Sequence, residues 1–98
     1  MERLLSFTLK ANEGKLFRVK FNINQKKIRD LQITGDFFVY PTDAIEIVEN
    51  GLNGCLIDKE IINNLFEKIT IKHNITIIGF TGKDLALAIL SAKESNGV

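Results

Sequence analysis

From Phe17 to Asn24 the chain alternates apolar and polar residues, with Phe17, Val19, Phe21 and Ile23 on one face and Arg18, Lys20, Asn22 and Asn24 on the other. That period of two belongs to a β-strand with one side buried and one side wet. Such a strand needs partners beside it and a cover over its apolar face. The neighbouring segments supply the partners. Leu5, Phe7 and Leu9 form a similar stripe opposite Ser6, Thr8 and Lys10, and Asn12-Glu13-Gly14 supplies a tight turn in which Gly takes the positive φ. A second turn at Gln25-Lys26-Lys27 leads to a third strand, with Arg29, Leu31 and Ile33 expected on one side. Three strands joined this way form an antiparallel meander with one hydrophobic face.

The rest of the chain reads as helical cover for that face. Ala44, Ile45, Val48 and Leu52 recur at helical spacing behind Pro41, which is expected in the first turn because its missing N–H has no partner there. Gly51 and Gly54 are expected to end this helix. Asp58 can cap the next, whose stripe is Ile61, Ile62, Leu65, Phe66 and Ile69. A last helix opens at Thr81 with Asp84 three residues on, a capping-box variant, and buries Leu85, Ala86, Ile89 and Leu90. The tail from Glu94 to Val98 is expected to fray. Between the last two helices, Ile75 to Phe80 could be a short strand, a buried linker or an apolar strip awaiting a partner. Short apolar runs are mostly internal, which favours the linker. The expected fold class is α+β: a three-stranded antiparallel meander followed by three helices packed on one face, β-β-β-α-α-α.

With 98 residues, the chain is expected to form one domain, residues 1–98. A net charge of +1 makes no electrostatic case for nucleic acid or an anionic membrane as partner. One cysteine forms no internal disulfide and fits a reducing compartment. Ser6, Thr8 and Lys10 interrupt the apolar character of the N-terminus, so it does not read as a signal peptide, and no run reaches transmembrane length. A cytoplasmic protein is expected.

Catalytic chemistry is not visible in the residues. Gly14, Gly35, Gly79 and Gly82 stand alone and match no phosphate-cradling loop. One His and one Cys cannot make a structural metal site. His73 falls where a helix should end, a favourable place for a partly charged imidazole. Cys55 lies among Leu52, Leu56 and Ile57, the setting of an inert buried thiol. Ser, His and Asp form no triad.

The most distinctive stretch is Ile33 to Cys55, ITGDFFVYPTDAIEIVENGLNGC: a strand ends in a Gly-Asp corner, two aromatics follow, then Pro41 and a helix that closes L-N-G-C. With GKLFRVKF opening the second strand and FTGKDLALAIL at the last helix, this order resembles the C-terminal accessory domain of lipoate-protein ligases, from about Lys15 onward. The resemblance implies a non-catalytic accessory subunit of a two-chain ligase. Its catalytic large subunit would bind ATP and lipoate, form lipoyl-AMP and pass the lipoyl group to a lysine of lipoyl-acceptor domains. This chain would bind no cofactor alone, would form a heterodimer with the large subunit and would meet the acceptor domains indirectly, with neither nucleic acid nor membrane as partner.

The residues that would face the partner or its active site are Lys15, Gly35, Asp36, Phe37 and Phe38. Each has a plainer role beside that one. Gly35 can be a backbone turn, Asp36 can bond the following backbone, and Lys15 can be a solvated charge. Phe37 and Phe38 cannot both face the core if the segment is extended, so one is left for an interface. Three strands followed by helices also resemble iron–sulfur scaffold proteins, whose three cysteine ligands have no counterpart here. A generic protein-interaction module is the remaining alternative.

Overall fold

A computed structural model describes residues 3–11 and 14–95. The elements run β1 (Arg3–Lys10), β2 (Leu16–Asn24), β3 (Lys27–Gly35), β4 (Phe38–Tyr40), α1 (Ala44–Leu52), α2 (Lys59–Lys72), β5 (Thr76–Ile78) and α3 (Gly82–Ser95). Strands β1, β2 and β3 form the expected antiparallel meander, β2 in the middle. Its apolar face carries Leu5, Phe17, Val19, Phe21, Ile23, Ile28, Leu31 and Ile33, all buried. Helix α3 lies across β1 and β2, α1 lies against β3, and α2 packs on both helices. Fully burying side chains of this size stabilises the fold by about 1.5–3 kcal/mol each, so the meander and its helical cover need one another.

Asn12 and Glu13 of the first turn lie outside the described residues, and Gly14 takes the positive φ of +87° that the turn needs. The second turn is shorter than expected. Gln25 and Lys26 both have positive φ, and Lys27 already pairs with Asn24. In β3 the expected side for Arg29 is wrong. Asp30 has φ +53° and the register slips between Lys20 and Asn22, so an irregularity inserts one residue and turns Arg29 outward while Ile28, Leu31 and Ile33 face in.

The outer edge of β3 is covered by α1 and the loop behind it. Glu49 Oε2 accepts from the Ile33 N–H at 2.6 Å and Asn53 Oδ1 from the Leu31 N–H at 3.0 Å. Backbone bonds link Ile28 to Cys55 and Gly54, and Ile57 to Lys26. An edge that would otherwise pair with another chain is thereby closed.

Three helical boundaries correct the expectation. Pro41 precedes α1 rather than opening it: a turn closed by the Ala44 N–H on the Pro41 carbonyl, 2.9 Å, places the helix start at Ala44. Gly51 is inside α1, where a Cβ would collide with the Ile69 side chain of α2, so this glycine serves a close helix crossing and the helix ends at Leu52. Helix α3 continues through Ser95, beyond the Glu94 at which fraying was expected, because Ala88, Ile89 and Ala92 are buried in the core; residues 96–98 lie outside the described residues. The caps are as expected. Asp58 accepts from the N–H groups of Glu60 and Ile61, and Thr81 and Asp84 bond each other's backbone and side chain.

Candidate functional site

Where β3 ends, the backbone makes a contact that dictates glycine. Gly35 lies opposite Phe17 with φ +143°, and a Cβ there would stand 2.5 Å from the Phe17 Cα and 2.6 Å from the Leu16 carbonyl oxygen. The next residue, Asp36, ties the corner to β2 by donating its N–H to that same Leu16 oxygen at 2.8 Å. Lys15, adjacent to Leu16, is exposed, as is Asp36. The residues singled out from the sequence therefore gather at one end of the meander.

Beyond the corner the chain forms a strand that the sequence did not reveal. Phe38, Val39 and Tyr40 pair antiparallel with Ile78, Ile77 and Thr76, so the expected linker is instead one strand of a two-stranded ribbon, β4–β5. Alternation along the ribbon separates the aromatics. Phe37, half-buried, meets Phe80 edge-to-face, with centroids 5.0 Å apart. Phe80 itself stacks on Phe17 at 4.6 Å and touches Phe66 at 6.0 Å, which ties the ribbon to the meander and to α2. Gly79, with φ +129°, lets the two segments approach, since a Cβ there would lie 2.8 Å from the Phe37 Cβ. Phe38 is thereby directed outward, 79% exposed, beside Tyr40 at 71% and Ile78 at 58%. Val39 and Ile77 pack inward on the opposite side.

An aromatic pair and an isoleucine on one side of a short ribbon form an exposed apolar patch of the kind that marks contact surfaces. Tyr40 and Ile78 were missed in the sequence because each strand is only three residues long. The alternation of Phe38 and Tyr40 with Phe37 and Val39 was the available signal.

The other candidate groups lie apart from this corner. Cys55 is half-buried and free, and burial pushes its thiol pKa up, away from the nucleophilic thiolate. His73 is the C-cap of α2, as its position suggested. Among the described residues no three His, Cys, Asp or Glu side chains group as metal ligands, and no helix is long and apolar enough to cross a membrane.

The profile of the bacterial lipoate protein ligase C-terminus matches residues 7–89. The chain belongs to this family. All five corner residues fall inside that span. The chain is also 36% identical over 70 residues to lipoate-protein ligase A subunit 2 of Thermoplasma acidophilum, spanning 69% of this chain and 73% of that one. Its fold matches a chain from the solved structure of a bipartite lipoate protein ligase and its E2 lipoyl domain from the same organism. That match has a TM-score of 0.75 and 30% identity, and covers 91% of this chain and 97% of that one. The meander with its helical cover is thus the fold of the ligase C-terminal domain.

Proposed function

We infer that this chain is the accessory subunit of a two-chain lipoate-protein ligase, acting with a catalytic large subunit and, through it, on lipoyl-acceptor domains. One observation carries the two-chain reading: the chain matched within a bipartite ligase is covered over 97% of its length by this fold. The C-terminal domain stands there as a polypeptide of its own.

The large subunit would activate lipoate. The carboxylate attacks the α-phosphate of ATP, pyrophosphate leaves, and lipoyl-AMP remains; a lysine amine of the acceptor then attacks the carbonyl and AMP leaves. The small subunit's part is to complete and close that site, excluding water from a hydrolysable acyl-adenylate and holding the reacting groups in register. In this scheme Phe38, with Tyr40 and Ile78, anchors the large subunit. Gly35 and Phe37 fix the corner's shape, Asp36 faces the partner's active site, and Lys15 is placed to reach nucleotide phosphates. The chain itself holds no cofactor; lipoate and ATP belong to the partner. Dependence on ATP points to a cytoplasmic location.

The test is lipoate-dependent ATP–pyrophosphate exchange. Neither subunit alone should support it at the rate of the mixture, and adding this chain to the large subunit should switch it on. Full exchange by this chain alone, or no stimulation on mixing, would overturn the assignment.

A further inference from the structure

The net charge of +1 conceals a segregation. Up to Arg29 the sequence carries eight Lys or Arg against two carboxylates, and from Asp30 onward five against ten. The strand register turns this into a surface. On the sheet face away from the helices, Arg18 of the central strand stands opposite Thr8 and Thr34, and Lys20 opposite Ser6 and Gln32. Lys10, Lys27 and Arg29 point the same way, opposite Leu16, Asn24 and Asn22. All five cations are exposed, and none is held in an ion pair among the described residues. Arg18 donates to Ser6 Oγ at 3.4 Å, and Asp30, at the bulged rim, accepts from Asn22 Nδ2 at 3.2 Å.

Arg18 and Lys20 are two residues apart on one strand, hence about 7 Å from each other, and their cross-strand neighbours are hydroxyls and an amide. They repel, and the Asp30 carboxylate at the rim bonds Asn22, while neither cation forms an ion pair among the described residues. Solubility is served by mixed signs and does not require one sign over a whole face. An acidic surface laid on this face would remove the repulsion. The face also differs from the β4–β5 patch: beside the exposed Leu4 and Leu16 it carries long flexible cations, with no aromatic anchor. Exposed charges of this kind contribute little lasting affinity but raise the rate and set the orientation of encounter. That suits a protein that must arrive and depart in every catalytic cycle.

We propose that the open sheet face is the docking surface for the acidic side of the lipoyl-acceptor protein, guiding it to the ligase while the apolar ribbon holds the large subunit. This rests on the accessory-subunit reading above. The experiment uses the assembled heterodimer with a recombinant E2 lipoyl domain as acceptor. Adenylation and acceptor transfer are measured separately at low and high salt.

Replacing Arg18→Glu and Lys20→Glu together should raise the acceptor KM about tenfold at low salt and flatten its dependence on salt, while lipoyl-AMP formation stays at the native rate. Arg18→Thr with Lys20→Thr, which suits an exposed strand position, should give a smaller rise with the same salt signature. A native KM blind to salt, or variants with the native KM, would overturn this inference alone. So would loss of adenylation in the charge variants, which would assign the face to the large subunit, or competition by duplex DNA stronger than by the acceptor. A native heterodimer with no adenylation would remove the subunit assignment and this inference with it.

Discussion

Gly35 shows how a single missing side chain sets the corner. The atoms that a Cβ would meet are the Phe17 Cα and the Leu16 carbonyl, both backbone, so no rotamer change can relieve the clash. Gly35→Ala should destabilise the chain by at least about 1–3 kcal/mol, the cost of a non-glycine residue forced into this conformation. Thermal unfolding should therefore shift down by several degrees; an unchanged midpoint would mean that the corner rearranges freely. Glu49 makes a different kind of contribution. Burial, chiefly, holds its carboxyl pKa above the ordinary value; the Ile33 N–H pulls the other way, and Glu46 pushes it up further. Because the folded value lies above the unfolded one, the protonated form is the favoured partner of the fold. That stability is present below the unfolded pKa and is lost as pH rises through the folded one. Glu49→Gln keeps an oxygen for Ile33 without the charge, so it should melt above the native protein at pH 7, the gap closing below about pH 4. The carboxyl is partly exposed, so the gap is small. Glu49→Leu removes the acceptor altogether and should cost about 1–3 kcal/mol at both pH values.

The ribbon β4–β5 separates folding from partner contact by the pleat of its strands. Phe37, Val39 and Ile77 face inward, and Phe38, Tyr40 and Ile78 face out. Replacing Phe38 by Ala should therefore leave the free subunit within about 0.5 kcal/mol of native stability, as exposed positions usually do. The same change should weaken assembly with the large subunit by about 2 kcal/mol or more, the usual effect of truncating an aromatic anchor. Asp36→Ala should likewise leave circular dichroism unchanged and lower pyrophosphate exchange when the small subunit is limiting. If both variants support native exchange, this corner is a structural turn and the partner docks elsewhere.

Across the whole molecule, the iron–sulfur scaffold alternative raises a direct chemical test. A cluster or zinc ion needs several thiolate or imidazole ligands converging on one point, and here Cys55 is half-buried in the loop behind α1 while His73 caps the end of α2. Elemental analysis after anaerobic purification should find no stoichiometric iron or zinc. One tightly held metal per chain would revive the scaffold alternative.

The features legible in the residues were those whose cause is local. Alternation from Phe17 to Ile23 needs only the pleat of a strand. Asp58 and the pair Thr81 and Asp84 act on N–H groups within three residues of themselves. The order of the GDFF corner, Pro41 and the L-N-G-C helix end was enough to suggest the family. Other features depend on residues far apart in the chain. The slip at Asp30 adjusts β3 to β2, and Gly51 is explained by Ile69 on another helix. Phe38 finds Ile78 forty residues away, and neither three-residue strand is long enough to show its own period. The basic face likewise forms only when three strands lie side by side and bring Lys10, Arg18, Lys20, Lys27 and Arg29 to one side. A composition with one net charge has no record of that arrangement, because charge counts are additive along a chain while surfaces depend on which residues become neighbours.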